Sequence, residues 1–244
     1  MGLFSLKYGV IPALDESNPK RIGEIVKQTH DVKGIVGYKV SGRLALRKGL
    51  EATVNAVREH TEDLPIILDY QKAGTDVPFI ERLLIESNYD LINGVIFFPQ
   101  SGTKSQKELI DAAKDKGIVP IAGGFMTHPE YIEEEGGYIP ERNVDRMYLN
   151  SVKWGVNHFI VPGNKPDVIR EYKELLSTKL SEIGLKPVFA GPGIGKDAQG
   201  GDIDLAIRAA KPYSFQGIVG RAIRKAEKPK EAATGLCKKV LSYK

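Results

Sequence analysis

Charged side chains that directly follow short apolar runs are the residues of this sequence best placed to do chemistry. Five of them occur in or after three such runs: Asp15, Lys39, Asp69, Lys72 and Asp76. Carboxylates and ammonium groups that alternate in one place neutralise each other, which lowers the cost of burying them. Two interpretations follow. Either the array aims a cationic lysine at a substrate carbon, or it is a structural ion-pair network.

Two glycine-rich segments near the C-terminus have the composition of phosphate-binding turns. The first is Gly191-Pro192-Gly193-Ile194-Gly195, followed by Gln199-Gly200-Gly201-Asp202, and the second is an apolar run that leads into Gly220-Arg221 and the helical pattern Ala-Ile-Arg-Lys-Ala. Glycine lets the backbone approach an anion, a helix start offers free N–H groups, and arginine adds a planar fork of donors. The sequence therefore predicts a phosphorylated small molecule as ligand.

Alternating apolar runs and amphipathic stretches must position these residues. Strands are predicted over residues 8–15, 34–41, 65–72, 91–98, 118–125, 156–163, 186–193 and 215–221. Helices are predicted over 19–30, 44–60, 77–87, 104–116, 140–154, 165–183, 202–210 and 230–242. Eight β-then-α units predict an α/β fold with a single (β/α)8 TIM-barrel domain over residues 1–244, with an open doubly wound sheet as the alternative. Barrels of this kind carry their active sites at the C-terminal ends of the strands.

Composition narrows the class of partner. The formal charge of +4 on 244 residues suits an anionic metabolite and predicts no nucleic-acid partner. No apolar run approaches the ~20 residues of a membrane span, so a cytoplasmic protein is expected. The four histidines show no metal-ligand spacing, and Cys237, the single cysteine, is predicted to lie in the core. The basic residues from Arg221 to Lys230 are predicted to form a solvated helix face.

The motifs Pro-Gly-Ile-Gly, Gln-Gly-Gly-Asp and Val-Gly-Arg-Ala-Ile together resemble the C-terminal signature of the orotidine 5′-phosphate decarboxylase family. Met126-Thr127-His128-Pro129 and Phe159-Ile160-Val161-Pro162 are similar to its segments after strands five and six. The resemblance runs from Asp15 to the last helix. It implies a homodimeric enzyme without cofactor or metal that converts orotidine 5′-monophosphate (OMP) to uridine 5′-monophosphate (UMP) in pyrimidine biosynthesis.

The resemblance also implies a role for each matching residue. Asp15 and Lys39 correspond to ribose contacts, Asp69 to the third-strand aspartate, Lys72 to the lysine that protonates C6, and Asp76 to an aspartate that reaches the partner's site. Thr127 replaces a serine that bonds the pyrimidine. The phosphate-binding loops supply the remaining substrate-binding residues: Pro192, Gln199, Gly200, Gly220 and Arg221.

The third strand departs from the family's Asp-x-Lys-x-x-Asp pattern. One extra residue stands in each gap of Asp69…Lys72…Asp76, and Gln71 occupies the ordinary register position after Asp69. A bulge eased by Gly74 is expected to restore the aim of Lys72. Lys196-Asp197 is a second apparent insertion, in the phosphate loop.

Two other functions remain open at this point. One is a magnesium-dependent sugar-phosphate synthase or decarboxylase of the same barrel group. Such an enzyme needs an extra carboxylate near the end of the second strand to bind magnesium. Glu51 is the candidate there, but it lies within a helical pattern, which argues against a metal site. The other is a non-catalytic nucleotide-phosphate binder.

Overall fold

Eight parallel strands close into a barrel in the computed structural model, which describes residues 2–41, 48–71, 74–195 and 199–243. The strands follow one another around the barrel in chain order, and β8 pairs with β1. They are β1 Tyr8–Leu14, β2 Tyr38–Ser41, β3 Ile66–Asp69, β4 Gly94–Phe97, β5 Val119–Gly123, β6 His158–Ile160, β7 Val188–Gly191 and β8 Ser214–Val219. The predicted (β/α)8 barrel is confirmed, and the open sheet is wrong.

Helices alternate with the strands in the described part of the chain. They are α1 Pro19–Thr29, α2 Leu50–Arg58, α3 Pro78–Glu86, α4 Thr103–Asp115, α5 Glu141–Lys153, α6 Pro166–Ser181, α7 Ile203–Ala210, α8 Arg221–Arg224 and α9 Pro229–Leu241. Proline occupies the first turn of α1, α3, α6 and α9, where its missing N–H costs nothing. None of these helices combines the length and apolar character that crossing a membrane requires.

Two differences from the predicted elements concern boundaries. The strands are shorter than the apolar runs, because residues at the ends of the runs do not join the ladder. Ile35, for example, is buried but forms only isolated bridges, to Val10 and Lys33, before β2 begins. The second helix begins at Leu50 after Gly49, while residues 44–47 of its predicted span lie outside the described residues.

The core has two layers, as period-two alternation along the strands requires. The barrel interior is filled by small and branched side chains with one aromatic ring: Ile11, Ala13, Val36, Ile67, Ile96, Phe98, Ile121, Ile160, Ala190 and Ile218. The other strand faces pack against the helices in a larger cluster that includes Val10, Leu14 and Cys237. The predicted core position of Cys237 is confirmed, and burial raises the pKa of its thiol to about 12.

Candidate active site

Lys39 lies at the centre of a charged cluster at the C-terminal rim of the barrel. Its Nζ donates to Asp69 Oδ2 at 2.5 Å and to Asp15 Oδ1 at 3.1 Å. The lysine side chain is only 8% exposed, against 14% for Asp69 and 40% for Asp15. Burial acts to lower the pKa of Lys39, but the two carboxylates outweigh it and raise that pKa above its usual value. The cluster therefore holds an ammonium group that is charged at neutral pH.

Strand register explains why these three residues meet. Lys39 pairs with Ala13 on β1 and with Ile67 on β3. Asp15 and Asp69 each lie two residues beyond those partners, and residues two apart point to the same face of a strand. Both carboxylates consequently project over Lys39 at the point where the strands end. The second carboxylate oxygen of Asp69, Oδ1, is buried and has no hydrogen-bond partner among the described residues.

A mostly apolar cavity opens next to this cluster. Lys39, Asp69 and Gln71 line one side of it. The rest of its lining is mainly apolar and includes Phe98 and Phe125, which follow β4 and β5, together with the predicted site residues Thr127 and Pro192. Such a cavity suits a flat heteroaromatic ring that needs a few polar contacts along its edge.

Hydrogen bonds from Tyr148 and Asn164 hold the loop that carries Thr127. Tyr148 of α5 accepts the N–H of Phe125 at 3.1 Å and donates to the carbonyl of Ile160 at 2.6 Å. Asn164 donates from its amide to the carbonyl of Thr127 at 3.3 Å. These contacts join the ends of β5 and β6, so Thr127 is fixed relative to the cavity that it lines.

A second, glycine-rich cavity continues from the first. The two share Lys39, Pro192 and Ile218 in their linings. The second cavity adds the predicted residues Asp15, Gln199, Gly220 and Arg221. Together they make one continuous site, with the charged cluster in the middle and the Gly-Arg turn at one end.

The loop between β7 and α7 is closed at its base by backbone hydrogen bonds. Gly195 N–H donates to Gly201 O at 2.9 Å, and Gly201 N–H donates to Gly193 O at 3.0 Å. Gly193 has φ +91°, and a Cβ there would stand 2.9 Å from Gln199 Oε1. Only glycine lets the loop turn this tightly against Gln199. Lys196 and Asp197 lie outside the described residues.

Two predicted residues do not line either cavity of this single chain. Gly200 is exposed, and its N–H is bonded to Gly195 O at 3.2 Å. Asp76 is also exposed, at the entry to α3, where its carboxylate accepts the N–H of Val77 at 2.8 Å. Lys72 lies outside the described residues, so its predicted aim, and the bulge expected beside it, stay predictions.

A polar clamp holds the backbone that leads to Asp76. The carboxylate of Glu81, a buried residue of α3, accepts the Asp76 N–H at 2.8 Å. Ser101 donates to Gly74 O and Ser105 donates to Asp76 O, each at 2.7 Å. Burial raises the pKa of Glu81, and its bonds to backbone N–H groups counteract that rise. Sequence analysis does not predict this clamp, because Glu81 falls in an ordinary amphipathic pattern.

Replacing Glu81 by Ala is expected to lower the free energy of unfolding by about 2–3 kcal/mol, because buried N–H groups lose their acceptor. Urea denaturation measures the change. Glu86→Ala is the matched control on the same helix. Glu86 makes a surface ion pair with Arg82 at 3.2 Å, and its loss is expected to cost under about 1 kcal/mol. Equal losses in the two variants would show that the clamp adds no more to the free energy of unfolding than a surface ion pair does.

Arg224 corrects one sequence-based prediction. It was assigned to a solvated basic face from Arg221 to Lys230, but helix α8 ends at Arg224 and its guanidinium pairs with Glu16 at 2.8 Å. Arg224 also lines the glycine-rich cavity with Arg221. The spacing of three residues between the two arginines was the available signal, since such residues neighbour each other on a helix.

A closed (β/α)8 barrel with charged side chains and a Gly-Arg turn at its C-terminal rim has the layout of a barrel enzyme. The model of the orotidine 5′-phosphate decarboxylase / HUMPS family matches residues 9–236. The chain belongs to this family.

Individual relatives support this assignment to the family. Orotidine 5′-phosphate decarboxylase of Methanosarcina barkeri is 31% identical, over 92% of this chain and 90% of the relative. The protein of the same name from Pyrococcus furiosus is 30% identical, over 96% and 98% of the two chains. The crystal structure of the Pyrococcus horikoshii protein of that name superposes with a TM-score of 0.75 at 27% identity, covering 95% of this chain and 99% of that one. The Methanocaldococcus jannaschii decarboxylase, solved with the inhibitor BMP, has the same fold, with a TM-score of 0.80 at 24% identity over 95% and 98% of the two chains.

Proposed function

We propose that this protein decarboxylates OMP to UMP in pyrimidine nucleotide synthesis in the cytoplasm. The observation that carries the proposal is the continuous site in a chain of this family. It runs from an apolar cavity, past the Lys39 cluster, to the Gly220–Arg221 turn. A nucleotide has these same three parts in order, with a flat base, a ribose and a phosphate.

Each part of the site has a proposed partner on the substrate. Thr127 bonds the pyrimidine edge, and Asp15 and Lys39 contact the ribose hydroxyls. Gln199, the Gly220 N–H and Arg221 hold the phosphate. Binding energy from the phosphate, remote from the reacting carbon, can be used to force the substrate into the catalytic position.

The proposed chemistry needs only side chains, with neither a cofactor nor a metal. The substrate carboxylate lies beside the carboxylate of Asp69, and this repulsion raises the energy of the bound ground state. The bond from C6 to the carboxyl carbon breaks, carbon dioxide leaves, and the electron pair stays on C6. Lys72 stabilises that charge and transfers a proton to C6. Asp69 and Asp76 keep the lysine cationic until then.

The direct experiment mixes purified protein with OMP and a chelator and follows the loss of substrate ultraviolet absorbance. Formation of UMP is the expected result. No turnover, with UMP still bound, would mean that the site is a nucleotide-phosphate binder. Turnover of a sugar phosphate that requires added magnesium would instead favour the related synthase or decarboxylase.

We propose further that two copies of the chain form the working enzyme. An exposed apolar face, formed by Val77, Phe79, Ile80 and Leu83, begins directly after Asp76. Phe79 is 71% exposed and Leu83, one helical turn later, 46%. A second copy is the proposed occupant, because covering this face brings Asp76, which is exposed in the single chain, into an interface between two subunits.

Phe79→Glu is expected to weaken the dimer at least about tenfold, because a buried aromatic anchor becomes a charge. Analytical ultracentrifugation measures the dissociation constant. Tyr138→Glu is the control, since Tyr138 is an exposed aromatic residue of the loop after β5, at 95% exposure. Equal behaviour of the two variants would place the interface elsewhere.

Mixing two inactive variants tests whether Asp76 acts across that interface. Lys72→Ala and Asp76→Ala are each expected to be inactive alone. In a mixed dimer, one of the two sites has both an intact Lys72 and an intact Asp76, each from a different subunit. Random mixing makes about half of the dimers mixed, so about a quarter of the activity should be restored. No recovery, in a sample shown to contain mixed dimers, would mean that Asp76 acts within its own chain.

A further inference from the structure

The Arg224–Glu16 ion pair stands at the end of the glycine-rich cavity. Nη1 of Arg224 donates to Glu16 Oε1 at 2.8 Å, and the two side chains are 19% and 21% exposed. Arg21 of α1 donates to the carbonyl of Arg224 at 3.3 Å. Helix α8 is thus tied to the loop after β1 and to α1, which fixes where the Arg224 guanidinium lies.

The guanidinium of Arg224 keeps donors that the protein does not use. Arginine carries five N–H donors in a planar fork, and Glu16 occupies one nitrogen. Nε of Arg224 is buried and has no hydrogen-bond partner among the described residues. A buried donor without an acceptor is costly, so a ligand oxygen that draws the guanidinium toward the cavity would offset that cost. Arg224 lines this cavity together with Gln199, Gly220 and Arg221.

The number of donors that a phosphate group requires points the same way. A phosphate monoester carries about −1.5 to −2 charges at neutral pH, which one arginine does not neutralise. Lys39 already faces two carboxylates and contributes no net positive charge. Arg221 and Arg224 both line this cavity. Because Glu16 offsets the charge of Arg224, the second guanidinium adds hydrogen-bond donors rather than net charge.

We propose that Arg224, held in position by Glu16, is a second phosphate-binding arginine that makes the site selective for the phosphate dianion over the uncharged nucleoside. The inference rests on the proposed function in one respect, namely that a nucleotide occupies this cavity. It assigns a specific role to a residue outside the predicted phosphate-binding set.

Equilibrium binding of UMP and of uridine to the full chain tests the role without requiring turnover. Arg224→Met is expected to weaken UMP binding by about 10- to 100-fold, since a charge-assisted hydrogen bond to phosphate is lost. Uridine affinity is expected to stay unchanged. Lys225→Met is the matched control, because Lys225 is the exposed neighbour and its loss removes the same charge. Its effect on UMP is expected to stay under about threefold.

A second variant guards against misfolding, because Arg224→Met leaves Glu16 unpaired. Arg224→Gln keeps an amide donor for Glu16 while removing the charge, and it is expected to lose UMP affinity selectively as well. If the affinities for UMP and for uridine fall together, or if Lys225→Met lowers UMP affinity as much as Arg224→Met does, the inference is wrong and the ion pair is structural. If the wild-type protein itself does not prefer UMP to uridine, the proposed function fails along with it.

Discussion

Lys72→Ala is expected to reduce OMP turnover by at least about 10⁴-fold, while UMP affinity changes only a few fold. General acid catalysis contributes about 10²–10⁴ in rate, and a cation beside a developing carbanion contributes a further factor. Both effects act in the transition state, so the loss should appear in kcat and leave ground-state binding almost unchanged. Stopped or continuous ultraviolet assays over a range of OMP concentrations separate kcat from KM.

The surroundings of the third strand give this prediction a physical basis. Asp69 uses Oδ2 for Lys39, whereas its Oδ1 is buried and has no partner among the described residues. A buried carboxylate oxygen requires a donor, because leaving it unpaired costs free energy. Lys72 follows Asp69 by three residues and is the cation nearest to it in the sequence after the strand ends. Lys72 lies outside the described residues, and its pairing with Asp69 stays a prediction.

Gln71→Ala is the matched control for Lys72→Ala. Gln71 lines the apolar cavity beside Asp69 and occupies the register position in which the family pattern has its lysine. An amide cannot deliver a proton as an ammonium group can, so a loss of less than about 30-fold is expected. If Lys72→Ala kept most of the activity, the assignment of Lys72 as the proton donor would be wrong, and Lys39, which lines the same cavity, would be the next candidate to test.

The sequence predicted the barrel and the charged cluster because both depend on simple periodicities. Apolar runs that alternate with amphipathic stretches require parallel strands covered by helices, and charges at the ends of such strands must meet at one rim. Asp15, Lys39 and Asp69 are the example, since the register of three neighbouring strands brings them together.

Contacts between distant loops could not be predicted in the same way. Glu16 and Arg224 are 208 residues apart, and each lies in a pattern that also fits an exposed surface. Glu81 likewise belongs to an amphipathic helix, and only the folded loop shows that its carboxylate holds the backbone of Asp76. Such pairings depend on loop conformation, which hydrophobic periodicity does not determine.

Lys39→Met is expected to lower the free energy of unfolding by about 3–5 kcal/mol, because Asp15 and Asp69 would be left without their shared cation. Urea denaturation at pH 7 measures the loss. Lys33→Met is the control, since Lys33 is exposed, and a change within about 0.5 kcal/mol is expected for it. Similar losses in the two variants would show that the cluster does not affect stability.

The pH dependence of this stabilisation follows from the raised pKa of Lys39. Because that pKa lies above the ordinary value of 10.5, the folded state holds the proton more tightly than the unfolded chain. The contribution is complete below about pH 10.5 and is lost as the pH rises through the folded-state pKa. The difference between wild type and Lys39→Met should therefore be constant from about pH 6 to 9.

A triple variant distinguishes the two interpretations of the cluster. Lys39→Met measures the cost of unpaired carboxylates, which exceeds the net contribution of the intact pairs. Lys39→Met combined with Asp15→Asn and Asp69→Asn removes all three charges, and neutral replacement of buried ion pairs is often close to neutral for stability. A triple variant that is about as stable as the wild type but inactive would assign the cluster to substrate binding and catalysis. A triple variant as unstable as Lys39→Met would instead favour the structural network, since the charges themselves would then hold the rim of the barrel together.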